Sequence, residues 1–83
     1  MDSIEIETHQ VMKNMEAVLN DANMTFDDVV KTSIFILNMD NFSRINEIYG
    51  QYFTSKFPAR ETVEVARLPK GVNIEISMIA IKD

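Results

Sequence analysis

Residues 29–37, VVKTSIFIL, place a strong constraint on the fold. The run is dense in β-branched residues and carries apolar side chains on both alternating faces, which makes it an interior strand rather than a half-solvated one. An interior strand needs neighbours on its edges and cover on its faces. The chain has 83 residues with which to supply them, 46% of them hydrophobic. That suffices for one domain over residues 1–83, with a thin core that calls for an additional source of stability.

Disulfides and a transition metal are poor sources. There is no cysteine, His9 is the one histidine, and the carboxylates do not cluster at metal-loop spacing. Association with further subunits is the source that remains. A formal charge of −5 without long blocks of one sign argues against a nucleic-acid partner, which requires a positive patch to displace phosphate counterions. No apolar run is long enough to span a bilayer. Met1-Asp2-Ser3 opens directly into a polar amphipathic segment, so a cytoplasmic protein is expected.

Two segments have helical periodicity. Over residues 3–22 the apolar positions Ile4, Val11, Met12, Met15, Val18, Leu19 and Ala22 share one stripe. Asp2 and Glu5 have capping-box spacing, and Asn23 suits a left-handed stop. His9, Lys13, Glu16 and Asn20 take the opposite face, where His9 has no partner at a useful spacing and reads as solvated surface. Ile6 points away from the stripe. After a capped turn at Thr25-Phe26-Asp27-Asp28 and the interior strand, residues 38–41 supply cap residues for a second helix over 41–55. Its stripe is Phe42, Ile45, Ile48, Tyr49, Tyr52 and Phe53, with Asn46 at the margin and Gly50 on the far side.

Phe57-Pro58 ends the helical region. Residues 57–67 and 72–81 alternate apolar and polar around Leu68-Pro69-Lys70-Gly71, the pattern of a β-hairpin. Its polar face gathers Arg60, Thr62 and Glu64 with Asn73, Glu75 and Ser77. The element order is therefore helix, strand, helix, strand, strand: a two-layer α+β fold with the sheet backed by two helices. Three strands cannot screen both helices and both faces of the interior strand, so more strands or another subunit are expected.

On that polar face, Arg60 offers a guanidinium fork that matches a small carboxylate. Its competing reading is a surface arginine paired with Glu61 or Glu75. Glu75 can act as a base that activates water, or be a carboxylate on a solvated strand face. Thr62 and Asn46 can orient a ligand by hydrogen bonds, though both types are ordinary in a strand and on a helix. Arg67 is a rival anchor. In the hairpin register Glu64 faces Glu75, leaving Arg60 about 13 Å along the strand at ~3.3 Å per residue. One small ligand would not reach both Arg60 and Glu75 of one chain unless a bulge shifts the register or two subunits share the site. No GxSxG, P-loop, CxxC or HExxH motif is present, so the hydrolases and redox enzymes that need them lack their parts.

The run FPARETVEVARLPKG at 57–71, followed by Val72-Asn73-Ile74-Glu75-Ile76, resembles the signature of the RidA (YjgF) family of enamine/imine deaminases. Residues 28–32, DVVKT, and Asn46-Glu47-Ile48-Tyr49 are similar to the same family. The resemblance implies a chorismate-mutase-like fold, assembled as a homotrimer with ligand sites in the clefts between subunits, and a reaction that uses no metal or cofactor. It implies that Arg60 holds the substrate carboxylate and Glu75 positions the attacking water. Thr62 would line the pocket and Asn46 would lie near the ligand. The implied reaction hydrolyses 2-aminoacrylate-type enamines and imines to 2-keto acids and ammonia. Family members begin with two or three strands ahead of the first helix, and those strands have no counterpart in this chain. The expectation is a naturally short member or a fragment, impaired or not, in which closer subunit association covers the bare sheet. A second reading is a catalytically silent interaction or keto-acid-sensing module on the same scaffold. An endoribonuclease is disfavoured by the acidic charge and the absence of a histidine pair.

Overall fold

A computed structural model describes residues 3–82. Helix α1 covers Ser3–Asp21, strand β1 Val29–Ile36, helix α2 Phe42–Gly50, strand β2 Ala59–Glu64 and strand β3 Ile74–Ala80, the expected α-β-α-β-β order. α1 buries Ile4, Thr8, Met12 and Leu19, spaced four, four and seven residues apart along one face. Thr8 is tolerated there because its hydroxyl donates to the Ile4 carbonyl at 2.7 Å. Val18 and Ala22, expected in the stripe, are exposed. The helix stops as anticipated at Asn23, whose φ of 59° is left-handed. The Met24 amide closes on the Leu19 carbonyl at 2.8 Å, and that of Asn23 on Asn20 at 3.0 Å. The capping role expected of Asp2 falls outside the described residues.

Thr25 caps the short turn Phe26–Asp28: its hydroxyl accepts from the Asp27 amide, and its own amide donates to Asp28 Oδ2 at 2.9 Å. α2 is shorter than its sequence periodicity suggests. Beyond Gly50 the chain tightens, with the Gln51, Tyr52 and Phe53 amides each bonded three residues back. Tyr52 and Phe53 still turn inward, their rings 5.6 and 5.3 Å from that of Phe26. Helical backbone ends early, but the apolar stripe continues.

The main departure lies in the sheet. Its order is β2-β1-β3, with β1 parallel to β2 and antiparallel to β3. The expected hairpin does not form. The interior strand occupies the middle, and residues 65–73 carry the chain around its end. That connection is fastened by the Val65 amide on Ile36 O at 2.8 Å and the Leu37 amide on Asn73 O at 3.2 Å. The presumed hairpin turn is instead a 3₁₀ turn, Pro69–Gly71, in which Lys70 and Gly71 take φ of 60° and 68°. A strand apolar on both faces gains more from two paired edges than β2 and β3 would gain from each other.

Thr32, Ile34 and Ile36 of β1 face the helices, together with Ile74 and Ile76 of β3. The four isoleucines form one core with Met12, Ile45, Tyr49 and Phe53. Between Val29 and Lys31 the β1–β3 register shifts by a bulge. The other face of the sheet carries Lys31, Ser33 and Phe35 flanked by Glu61, Val63, Glu75, Ser77 and Ile79, and neither helix covers it.

α1 is tied to the sheet by one carboxylate. Glu7 accepts from the Asn73 amide at 2.7 Å, from Asn73 Nδ2 at 2.9 Å and from the Ile74 amide at 3.3 Å. Nothing in the sequence periodicity singled it out. Glu7→Ala is expected to lower the unfolding free energy by about 1.5–3 kcal/mol, the range for hydrogen bonds to a charged group. Urea denaturation would show it as a reduced midpoint at unchanged m-value.

Candidate functional site

Arg60 is the register partner of Thr32 across β1 and β2, so its side chain lies on the helix side of the sheet. There α2 presents Phe42, Asn46 and Tyr49, at i, i+4 and i+7. The guanidinium carbon sits 5.5 Å from the centroid of Phe42 and 5.4 Å from that of Tyr49, and Nη1 donates to Asn46 Oδ1. Two aromatic rings and an amide thus hold a side chain that on an open surface would sample many rotamers.

The Tyr49 ring is itself fixed. Its hydroxyl meets Thr32 Oγ1 at 2.7 Å, and both residues are buried. Burial pushes the phenol's pKa up, against the opposing pull of the Thr32 hydrogen bond and the Arg60 charge. The phenol is therefore neutral at physiological pH. Among the described residues Arg60 has no carboxylate partner: Glu61 instead takes a hydrogen bond from Ser33 at 2.7 Å and lies 3.7 Å from Lys31 Nζ. The reading of Arg60 as one half of a surface ion pair with Glu61 or Glu75 is thereby overturned.

A cleft of about 430 Å³ opens beside the guanidinium, lined by Asn46, Tyr49, Gly50, Phe57, Pro58 and Arg60. It combines a fixed cation and an amide with apolar walls, a composition suited to a small organic anion. Gly50, expected on the far side of its helix, lines this cleft. Among the described residues no three His, Cys, Asp or Glu side chains come together to hold a metal ion.

The remaining candidates divide between the two faces. Thr62 pairs with Ile34 and Glu64 with Ile36, which puts both on the Arg60 side. Glu64 caps the turn at Met39, whose amide donates to it at 2.7 Å. Thr62 is not among the cleft's lining residues, and its hydroxyl is buried without a hydrogen-bond partner. Glu75 pairs with Phe35, across from Val63, on the uncovered face. The polar surface expected to unite Arg60 with Glu75 therefore does not exist within one chain. Arg67 lies past the end of β2 and is exposed. His9, expected to be unpartnered, has Nδ1 2.8 Å from the Tyr52 hydroxyl, a contact that sequence spacing could not reveal across 43 positions.

Phe42 and Tyr49 are the site residues that sequence reasoning missed, having been assigned wholly to the core stripe. Their spacing with Asn46 was readable. The register that places Arg60 above them was not.

The chain is thus a helix-backed mixed sheet of the α+β class, with Arg60 lining a cleft at the helix–sheet junction. The family model described as endoribonuclease L-PSP matches residues 1–82. Human 2-iminobutanoate/2-iminopropanoate deaminase is 47% identical over 76 residues, which cover 92% of this chain and 56% of the human protein. Two Escherichia coli structures superpose on the whole chain and cover 68% of their own lengths. The yjgF gene product does so at a TM-score of 0.93 and 37% identity, and TdcF with bound serine at 0.94 and 32%. The chain belongs to the RidA (YjgF) family, the family of that endoribonuclease L-PSP model, and has its α+β fold. It spans about three-fifths of the length of the curated relatives it matches, from 56% to 64% among those of human, Lactococcus lactis and Pyrococcus horikoshii. Among the described residues no helix is long and apolar enough to cross a membrane.

The orphaned Thr62 hydroxyl gives a direct prediction. An unsatisfied buried donor costs about 1–3 kcal/mol, and valine has the same shape without it. Thr62→Val should raise the unfolding midpoint in urea or thermal denaturation, and a lowered midpoint would show that the hydroxyl is satisfied in solution.

Proposed function

We propose that the chain carries the carboxylate-binding part of a cytoplasmic hydrolytic deaminase for 2-enamine and 2-imino acids. The observation that carries the reading is Arg60: a guanidinium held by Phe42, Tyr49 and Asn46, free of any carboxylate among the described residues, at the mouth of a cleft. Family membership and likeness to the human deaminase support the reaction class. The serine bound in TdcF supports a small ligand with an α-carboxylate.

In this reading the carboxylate of the protonated imine pairs with Arg60 and Asn46 orients it. Water adds to the imine carbon, and Glu75 accepts one of its protons. Glu75 then returns that proton to the carbinolamine nitrogen, which leaves as the hydroxyl proton is also transferred to it, so that R–C(=NH₂⁺)–COO⁻ and water become R–C(=O)–COO⁻ and NH₄⁺. The iminium is already electrophilic; orientation and proton removal are the tasks left to the protein. Because Arg60 and Glu75 lie on opposite sides of one sheet, the complete site takes Glu75 from a second copy, in a homotrimer that buries the uncovered sheet face. Phe35, Val63 and Ile79 make that face apolar enough to favour association.

Ammonia release from an enzymatically generated 2-imino acid tests the reading. Arg60→Ala should raise KM by about 10- to 100-fold, matching the loss of a charge-assisted pair. Glu75→Gln should lower kcat by about 10²-fold or more. Mixing the two impaired variants should restore part of the activity if sites are shared between copies. Release at the buffer rate by the unmodified chain and both variants would leave the silent binding module as the reading.

A further inference from the structure

Gly50 is a glycine that neither its backbone nor its packing demands. It closes α2 in helical conformation rather than at a positive φ. A Cβ built on it would meet no atom within 4 Å beyond its chain neighbours and the backbone of its own helix. Alanine would be favoured in a helix by up to about 1 kcal/mol. What the missing side chain does leave is space, and that space belongs to the cleft beside Arg60.

The cleft is asymmetric in chemistry. Arg60 and Asn46 provide its polar contacts, whereas Gly50, Phe57 and Pro58 provide an apolar wall. Phe57 is 65% exposed although its ring lies only 6.2 Å from that of Phe53. A phenyl group so exposed on a cleft rim gains from any apolar group laid against it, by roughly 25 cal/mol per Å² of surface covered. A three-carbon acid held by its carboxylate has little to lay there.

We infer that Gly50 is a specificity-determining position, opening the cleft to 2-oxo and 2-imino acids with branched or aromatic side chains, which pack over Gly50 and against Phe57 and Pro58. The inference rests on the carboxylate-anchor reading of Arg60 and deepens it from small acids in general to bulky ones.

Titration calorimetry with pyruvate, 4-methyl-2-oxopentanoate and phenylpyruvate, on the unmodified chain, Gly50→Ala, Gly50→Leu and Arg60→Ala, tests it. The unmodified chain should bind phenylpyruvate and 4-methyl-2-oxopentanoate more tightly than pyruvate. In Gly50→Leu the ratio of the phenylpyruvate to the pyruvate dissociation constant should rise at least tenfold. Gly50→Ala should raise this ratio by less, while increasing the thermal midpoint, so that loss of preference cannot be ascribed to unfolding. An unchanged ratio in Gly50→Leu, or tighter binding of pyruvate than of phenylpyruvate by the unmodified chain, overturns the inference. Arg60→Ala separates the two levels. Weakened binding of all three acids upholds the anchor whatever Gly50 does, and unchanged binding removes the anchor and the inference with it.

Discussion

Everything in this fold depends on β1 having two partners. Residues 29–37 present apolar side chains in both directions, and a peripheral position would leave one edge of backbone donors and acceptors unpaired beside them. Placing β1 in the centre forces β2 and β3 apart and turns residues 65–73 into a connection around the strand end. The rest of the site follows from parity. Side chains alternate along a strand, and paired residues share a face, so each row of the sheet is set by its β1 member. Arg60, Thr32 and Met78 form one row on the helix side. Val63, Phe35 and Glu75 form another on the opposite side.

The Arg60 clamp shows how one row becomes a site. Register places the guanidinium over α2, and the helical repeat places Phe42, Asn46 and Tyr49 under it. The Thr32–Tyr49 hydrogen bond then joins the strand that positions Arg60 to the helix that receives it. The hydroxyls are buried and mutually satisfied, whereas that of Thr62 on the next helix-facing row is not. One threonine hydroxyl is thus satisfied on the row that carries Arg60, and another is orphaned on the neighbouring helix-facing row.

The uncovered sheet face has the opposite character. Lys31, Ser33 and Glu61 form a small polar group, but Phe35, Val63 and Ile79 lie beside them without protein cover. A sheet solvated on one side ordinarily carries polar residues there. The aliphatic and aromatic groups there are the physical basis for the proposed association of copies through that face.

The sequence alone determined the elements and their order. Periodicity of 3.6 marked α1 and α2, the β-branched run marked β1, and Asn23 and Thr25 marked their turns through backbone and capping chemistry that acts over a few residues. It also singled out Arg60 and Asn46, because an arginine at the start of an alternating strand and an amide on a stripe margin are visible locally. It misjudged the pairing of β2 with β3, since a short turn-rich connection looks the same whether it joins adjacent strands or passes around a third. Only the tertiary structure decided that β1 lies between them. From that came the separation of Arg60 from Glu75, the clamp by Phe42 and Tyr49, and the opening of Gly50 into the cleft. Register across a sheet depends on which strand most needs burial, a comparison among distant segments that local patterns do not contain.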